Sequence, residues 1–230
     1  MMMPQSRKES KLDARDTLAV INDIVELRTC THSLLFDTRR HRDLYLTFAR
    51  SPSGPSLRFY VDDIHTSSEM NFTGNCLRGS RALLSFDPTF DTEPRWRLTK
   101  QLFTEIFAVP RGHPRSKPFI DHVFMFSIQD GRVWFRNYQI VEQGERRAED
   151  RSLVEIGPRL TLNPVRFFSG SYGGDIIYEN FDFVSPNAII RAEKTAMIEK
   201  TKRTLELKRK NEESRLKNKY EKTEMDDLFK

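Results

Sequence analysis

The sequence predicts an α/β (α+β) protein, with mixed sheets packed against helices and a basic helix at its C-terminal end. Three observations carry that expectation. Short apolar runs punctuated by Pro, Gly and Asp recur from residue 33 to 168. Two segments, Asp16–Arg28 and Pro94–Val109, instead repeat their apolar residues at helical spacing. From about residue 188 Gly and Pro vanish, and Lys, Arg and Glu dominate.

The elements follow in order. Leu18, Ile21, Ile24, Val25 and Leu27 share one helical face, with Asp16 placed to cap it. Ser33–Phe36 reads as a strand. Asp43–Arg50 and Ser56–Asp63 form a hairpin around the Pro and Gly residues of 51–55. Residues 64–80 are polar and irregular, and Ala82–Phe86 reads as a buried strand ended by Asp87-Pro88. Pro94 suits the first turn of a helix whose face carries Leu98, Leu102, Ile106 and Val109, with Phe103 and Phe107 beside them; Pro110 ends it. Val123–Ile128 and Arg132–Ile140 flank Asp130-Gly131, a strong hairpin signal. Residues 143–151 make a charged loop. Leu153–Phe168 supplies further strands, broken at Gly157-Pro158 and Asn163-Pro164, and residues 169–174 read as a flexible Gly-rich exit.

The chain has 230 residues and a net charge of +5, with 37% hydrophobic and 31% charged residues. Residues 189–222 alone carry 12 Lys/Arg and 6 Asp/Glu. That +6 surplus leaves the rest of the chain at about −1, so a nucleic acid would meet the body through local clusters. Three Glu-to-basic pairs at i,i+4 (Glu199/Arg203, Glu206/Lys210, Glu213/Lys217) predict a solvated helix. Cys30 and Cys76 are far apart and form no CxxC, so we expect two reduced, buried thiols and neither a zinc site nor a disulfide framework. No run approaches the ~20 apolar residues of a membrane helix, and the N-terminal residues lack the apolar core of a signal peptide.

Nothing in the sequence assembles a catalytic site. The five His residues are scattered, with no HExxH and no Gly-x-Ser-x-Gly. Gly170–Gly174 lacks the Gly-Lys-Ser/Thr of a phosphate loop. No cofactor, metal or small-molecule substrate is expected.

RNA contact needs Arg, Lys, approachable backbone and stacking surfaces. Arg111, His113, Arg115 and Lys117 form a basic cluster in a Pro-broken linker, and Arg78 and Arg81 flank Gly79-Ser80. Arg136 and Asn137 end a strand rich in aromatics. There Trp134 and Phe135 point to opposite faces, and packing in the core is the better expectation for both. Lys202, Arg203, Lys208, Arg209 and Lys210 give the tail an RNA-binding helix, a nuclear import signal, or both. The bland alternatives are a solvated linker, an ordinary turn and a soluble tail.

Several blocks together resemble the Brix-domain family of ribosome-assembly proteins. They are residues 52–56 (PSGPS), 73–81 (TGNCLRGSR), 84–87 (LSFD), 118–124 (PFIDHVF), 134–137 (WFRN), 153–159 (LVEIGPR) and 170–174 (GSYGG). The resemblance covers Pro4 to about Asn187. It implies two similar halves, each related to the anticodon-binding domain of some tRNA synthetases: 1–110, incomplete at its start, and 111–187, followed by a tail, 188–230. Arg159, and Ser171 in the Gly-rich exit whose backbone could touch RNA, complete the RNA-contacting candidates. The resemblance implies a non-enzymatic role in the nucleus and nucleolus, on pre-rRNA of the large subunit, beside other assembly factors including the Epstein–Barr nuclear antigen-binding protein homologue. A protein–protein scaffold with little direct RNA contact is the alternative. Members begin with a strand and helix before the block matching Pro4, so the expectation is a start further upstream or a strand supplied by a partner. The 143–151 loop is longer than the family pattern.

Overall fold

The computed structural model describes residues 3–9, 12, 18–110, 112–142 and 151–218. These divide into a body up to Phe183 and a helical unit from Val184. The Asp16 cap, most of the 143–151 loop and Arg111 lie outside the described residues.

The body is built on one sheet. Strands β1 (His32–Arg39), β2 (Asp43–Arg50) and β3 (Ser56–His65) form an antiparallel meander. Then come β4 (Arg81–Phe86), β5 (Ile120–Gln129), β6 (Arg132–Glu142), β7 (Arg151–Glu155), β8 (Arg159–Phe168) and β9 (Ile176–Glu179). The sheet order is β1-β2-β3-β8-β6-β5-β4, with β7 on β6 and β9 on β8. Strands from residues 1–110 and 111–187 therefore interleave: β8 pairs with β3, and β4 pairs with β5. That last pair is the one parallel pair among the described strands. A parallel pair needs a long crossover. It is made by a 3-10 turn (Pro88–Asp91), helix α3 (Pro94–Phe107) and the linker that follows. Helices α1 (Val20–Leu27) and α2 (Ser67–Met70) are short.

The core lies between α3 and one face of the sheet, and it is unusually aromatic. Phe48, Phe59, Phe90, Trp96, Phe103, Phe107, Phe124, Phe126, Phe135 and Phe167 are all buried in one cluster. Phe103 meets Phe48, Phe59, Phe107 and Phe126 at centroid distances of 4.8–5.9 Å, within the range where tilted and edge-on pairs are favourable. The buried face of α3 is Trp96, Thr99, Leu102, Phe103 and Phe107. Leu98 and Ile106 are only partly buried, so the stripe is rotated toward the aromatics relative to the face read from the sequence.

Other expectations need correction. Ala82–Phe86 is not a buried strand: β4 is the sheet's edge, and Leu83 is half exposed. Asn163-Pro164 does not break β8. Its register shifts opposite Arg58/Phe59, and Asn180 donates to the Pro164 carbonyl at 2.9 Å. A bulge is where an inner strand tolerates Pro. The Gly-rich exit at 169–174 is not the loose segment expected. Ser56 Oγ donates to the Gly170 carbonyl (2.8 Å), Tyr172 OH meets Ser33 Oγ (2.8 Å), and a Cβ on Gly54 would overlap the Ser169–Gly170 backbone. The exit is thus clasped to the β2–β3 turn. Asp130 and Gly131 both take positive φ, 53° and 70°, as the hairpin reading requires. Both cysteines are free but only partly buried, not sealed in the core.

Helix α4 (Pro186–Lys217) is 32 residues long and has no buried residue. Ser185 caps it, accepting from the Ala188 N–H. Its one ion pair among the described residues is Arg209–Glu213 at 3.4 Å; the three spaced pairs read from the sequence do not close. No described helix is long and apolar enough to cross a membrane.

Candidate nucleic-acid interface

The parallel pairing of β4 and β5 starts both strands at the same end of the sheet. Two segments far apart in sequence, the loop before β4 and the linker before β5, therefore meet. The Lys117 N–H donates to the Gly79 carbonyl (2.7 Å), and the Arg81 N–H donates to the Phe119 carbonyl (2.9 Å). Gly79 has φ +86°, and a Cβ there would sit 2.9 Å from the Arg115 carbonyl oxygen. Glycine is what lets the two backbones come this close.

A polar latch fixes the loop. Asp121 Oδ2 accepts from the Leu77 N–H (2.6 Å) while its Oδ1 lies 2.6 Å from His122 Nδ1. Ser80 Oγ donates to the Leu77 carbonyl (2.7 Å) and lies 3.2 Å from the same Nδ1. Burial alone would raise the Asp121 carboxyl. Hydrogen bonds from Ser80, His122 and the Leu77 backbone outweigh it and hold the group below its usual value. Ser80, His122 and Asp121 do not form a nucleophilic triad. Serine and acid both approach the one nitrogen, whereas a relay places them on opposite ring nitrogens, and His122 is fully buried.

The latched loop and linker present Arg78, Arg115 and Lys117 as exposed side chains, with Arg81 half-buried beside them. None of the four has an ion-pair partner among the described residues. His113 belongs to the scaffold of this turn: its Nδ1 accepts from the Arg115 N–H, and its carbonyl accepts from Ser116.

The remaining candidates are differently employed. Asn137 is fully buried, its amide donating to the Gly157 carbonyl at 3.0 Å, so it is a structural residue and not a surface contact. Phe135 joins the core. Trp134 lies on the opposite face, partly buried under Arg136, whose guanidinium is 5.7 Å from its ring. Glu155 ties Arg136 (3.4 Å) and two nitrogens of Arg159 (2.7 and 2.6 Å). The Arg159 hydrogen bonds are the main reason the Glu155 carboxyl lies below its ordinary value. Arg159 also stacks over Phe72 at 5.0 Å. Ser171 donates to Asn22 Oδ1 at 2.7 Å, part of the clasp described above.

The five tail candidates are all exposed on α4 but do not share a face. At 3.6 residues per turn, Arg191, Lys194, Lys202, Lys208, Arg209 and Arg215 fall within a sector of about 140°. Glu193, Glu199, Glu206 and Glu213 fall outside it with Arg203 and Lys210; only Glu212 intrudes. The helix is basic on one side and charge-balanced on the other.

Two features were missed in the sequence. Arg40, His41 and Arg42 form an exposed basic tip on the β1–β2 hairpin, at the sheet edge away from β4; the run Arg39–Arg42 was its visible signal. Phe119, 59% exposed, stands beside the loop–linker cluster. Its sequence signal, an aromatic after Lys-Pro, did not distinguish it from a core residue. Among the described residues no group of His, Cys, Asp and Glu has the geometry of a metal site.

The family model for the Brix domain matches residues 1–166. This chain belongs to the Brix-domain family. It is similar to proteins named ribosome biogenesis protein BRX1 homolog from Xenopus laevis (49% identical over 207 residues, 90% of this chain and 59% of that one) and Homo sapiens (50% over 187 residues, 81% and 51%). It is likewise similar to ribosome biogenesis protein brx1 of Schizosaccharomyces pombe (47% over 191 residues, 83% and 64%). The chain thus spans between half and two thirds of the length of these relatives. Among solved structures, a crystal structure of a probable ribosomal biogenesis protein from Aeropyrum pernix K1 aligns at a TM-score of 0.42 with 14% identity, covering 65% of this chain and 76% of that one.

Proposed function

We propose that this chain is a non-enzymatic, pre-rRNA-binding assembly factor of the large ribosomal subunit, acting in rRNA processing in the nucleolus. The observation that carries the reading is the meeting of Arg78, Arg81, Arg115 and Lys117 at one end of the β4–β5 pair. Four cations without ion-pair partners among the described residues, on a backbone fixed by Gly79 and the Asp121 latch, suit a phosphate backbone. Ribosome biogenesis is also what the names of its relatives state. Arg136 and Arg159, shared by Glu155, are secondary candidates, and the basic face of α4 adds reach. Other nucleolar factors, among them the Epstein–Barr nuclear antigen-binding protein homologue, are the proposed protein partners. Residues 1–110, 111–187 and 188–230 are the proposed family halves and tail.

A scaffold role without RNA is the second reading. It is favoured by a groove along β9, where Ile177 and Phe181 are 56% and 90% exposed. Crosslinking with sequencing on intact preribosomes separates the two. Discrete rRNA sites on peptides 76–81 and 112–119 support RNA binding; crosslinks to protein alone would overturn it.

A further inference from the structure

Three Phe residues are exposed among those described: Phe36, Phe119 and Phe181. A large exposed ring calls for an explanation when it recurs at a polar, charged site. Phe36 lies midway along β1, next to Asp37, and Phe181 adjoins Asp182. Phe119 lies on the backbone that joins the loop–linker cations. Its carbonyl holds the Arg81 N–H, Lys117 lies two residues before it, and Lys117 in turn is bonded to Gly79 beside Arg78. The ring belongs neither to the buried core nor to the residues packed against it, and it has no aromatic partner among the described residues. Folding therefore does not account for its position.

We infer that Phe119 is a stacking platform for an unpaired RNA base, and that the β4–β5 end of the sheet binds single-stranded rather than duplex RNA. This rests on the RNA-binding reading above and names its substrate class. Sequence-tolerant single-strand sites combine cations that track the backbone with an exposed aromatic on which a base lies flat. An A-form duplex keeps its bases stacked on one another and offers no such face. Leu77, about half exposed in the loop before β4, adds apolar surface at the same end of the sheet. The same apolar residues would suit a protein partner, but four neighbouring cations without ion-pair partners among the described residues favour a polyanion such as RNA.

The test uses the full chain and fluorescence anisotropy with two probes. One is a single-stranded oligouridine of about a dozen nucleotides; the other is an RNA duplex of roughly 16 base pairs. Phe119→Ala is expected to weaken the single-strand probe by about 5- to 150-fold, the range for loss of one stacked base, and the duplex probe by less than about twofold. Phe119→Trp restores binding, and Phe119→Leu does not. Wild-type affinity in Phe119→Leu would overturn the proposal in favour of a greasy contact, as would equal losses on both probes. Arg115→Gln/Lys117→Gln separates the two levels. If that variant weakens RNA binding and Phe119→Ala does not, stacking falls and the RNA reading stands; if neither weakens it, both fall. Phe119 is exposed, so melting temperatures should match the wild type.

Discussion

Consider neutralising the whole loop–linker cluster at once: Arg78→Gln, Arg81→Gln, Arg115→Gln and Lys117→Gln. These cations have no ion-pair partners among the described residues, and three of them are exposed, so their removal should leave the fold intact. Each cation that meets a phosphate of a single strand contributes about 0.7 to the slope of log affinity against log salt. Four contacts give a slope of about 2.8, and raising salt from about 50 to about 200 mM then costs roughly 50-fold in affinity. The quadruple variant should bind a single-stranded probe more weakly and lose most of that salt dependence. The control is Arg136→Gln/Arg159→Gln. Those two arginines share the Glu155 carboxylate, so much of their charge is already neutralised. Their loss should change the slope by less than about one unit. Affinity is measured by anisotropy titration across a salt series. An unchanged slope in the quadruple variant, or an equal drop in the control, would refute the assignment of this cluster as the main phosphate contact.

Three other outcomes are expected. Asn137→Ala removes the amide that satisfies the Gly157 carbonyl in a fully buried setting; it should cost about 1–3 kcal/mol in urea unfolding while leaving RNA affinity unchanged. The Asp121 carboxyl is depressed in the folded state, so its contribution is present above its unfolded value, near pH 4, and is lost as pH falls through the lower folded value. Stability measured against pH should therefore drop more steeply below about pH 4 in the wild type than in Asp121→Asn. On α4, Lys202→Gln/Lys208→Gln/Arg209→Gln should weaken RNA binding more than Lys200→Gln/Arg203→Gln/Lys210→Gln, although both remove the same charge; equal losses in anisotropy titrations would show that the faces are not distinct.

The local sequence carried most of the elements, for local reasons. Asp130-Gly131 can hardly be anything but a tight hairpin turn, because both residues must reach positive φ. Pro94 and Pro110 bracket α3 because proline fits a first turn and cannot continue a helix. The errors came where neighbours in space overrode the pattern. Pro164 reads as a break, yet a bulge and the Asn180 side chain accommodate it within an inner strand. Asn137 reads as polar and therefore as surface, yet its amide completes the Gly157 turn in the interior. Ser171 reads as part of a loose glycine loop, yet Asn22, distant in sequence, holds it.

By itself, then, the sequence determined an α/β chain with a basic helical tail, a set of cations to weigh as RNA contacts, and a family. What only the tertiary structure decided is which of those residues share a surface. Arg78 and Arg81 lead into β4, and Arg115 and Lys117 lead into β5, with a helix between them in the chain. Had the two strands paired antiparallel, these lead-ins would lie at opposite ends of the sheet. They pair in parallel because the α3 crossover covers the sheet's aromatic face and returns the chain to the end where β4 began. Burial of that face thus brings two distant pairs of cations together at one end of the sheet.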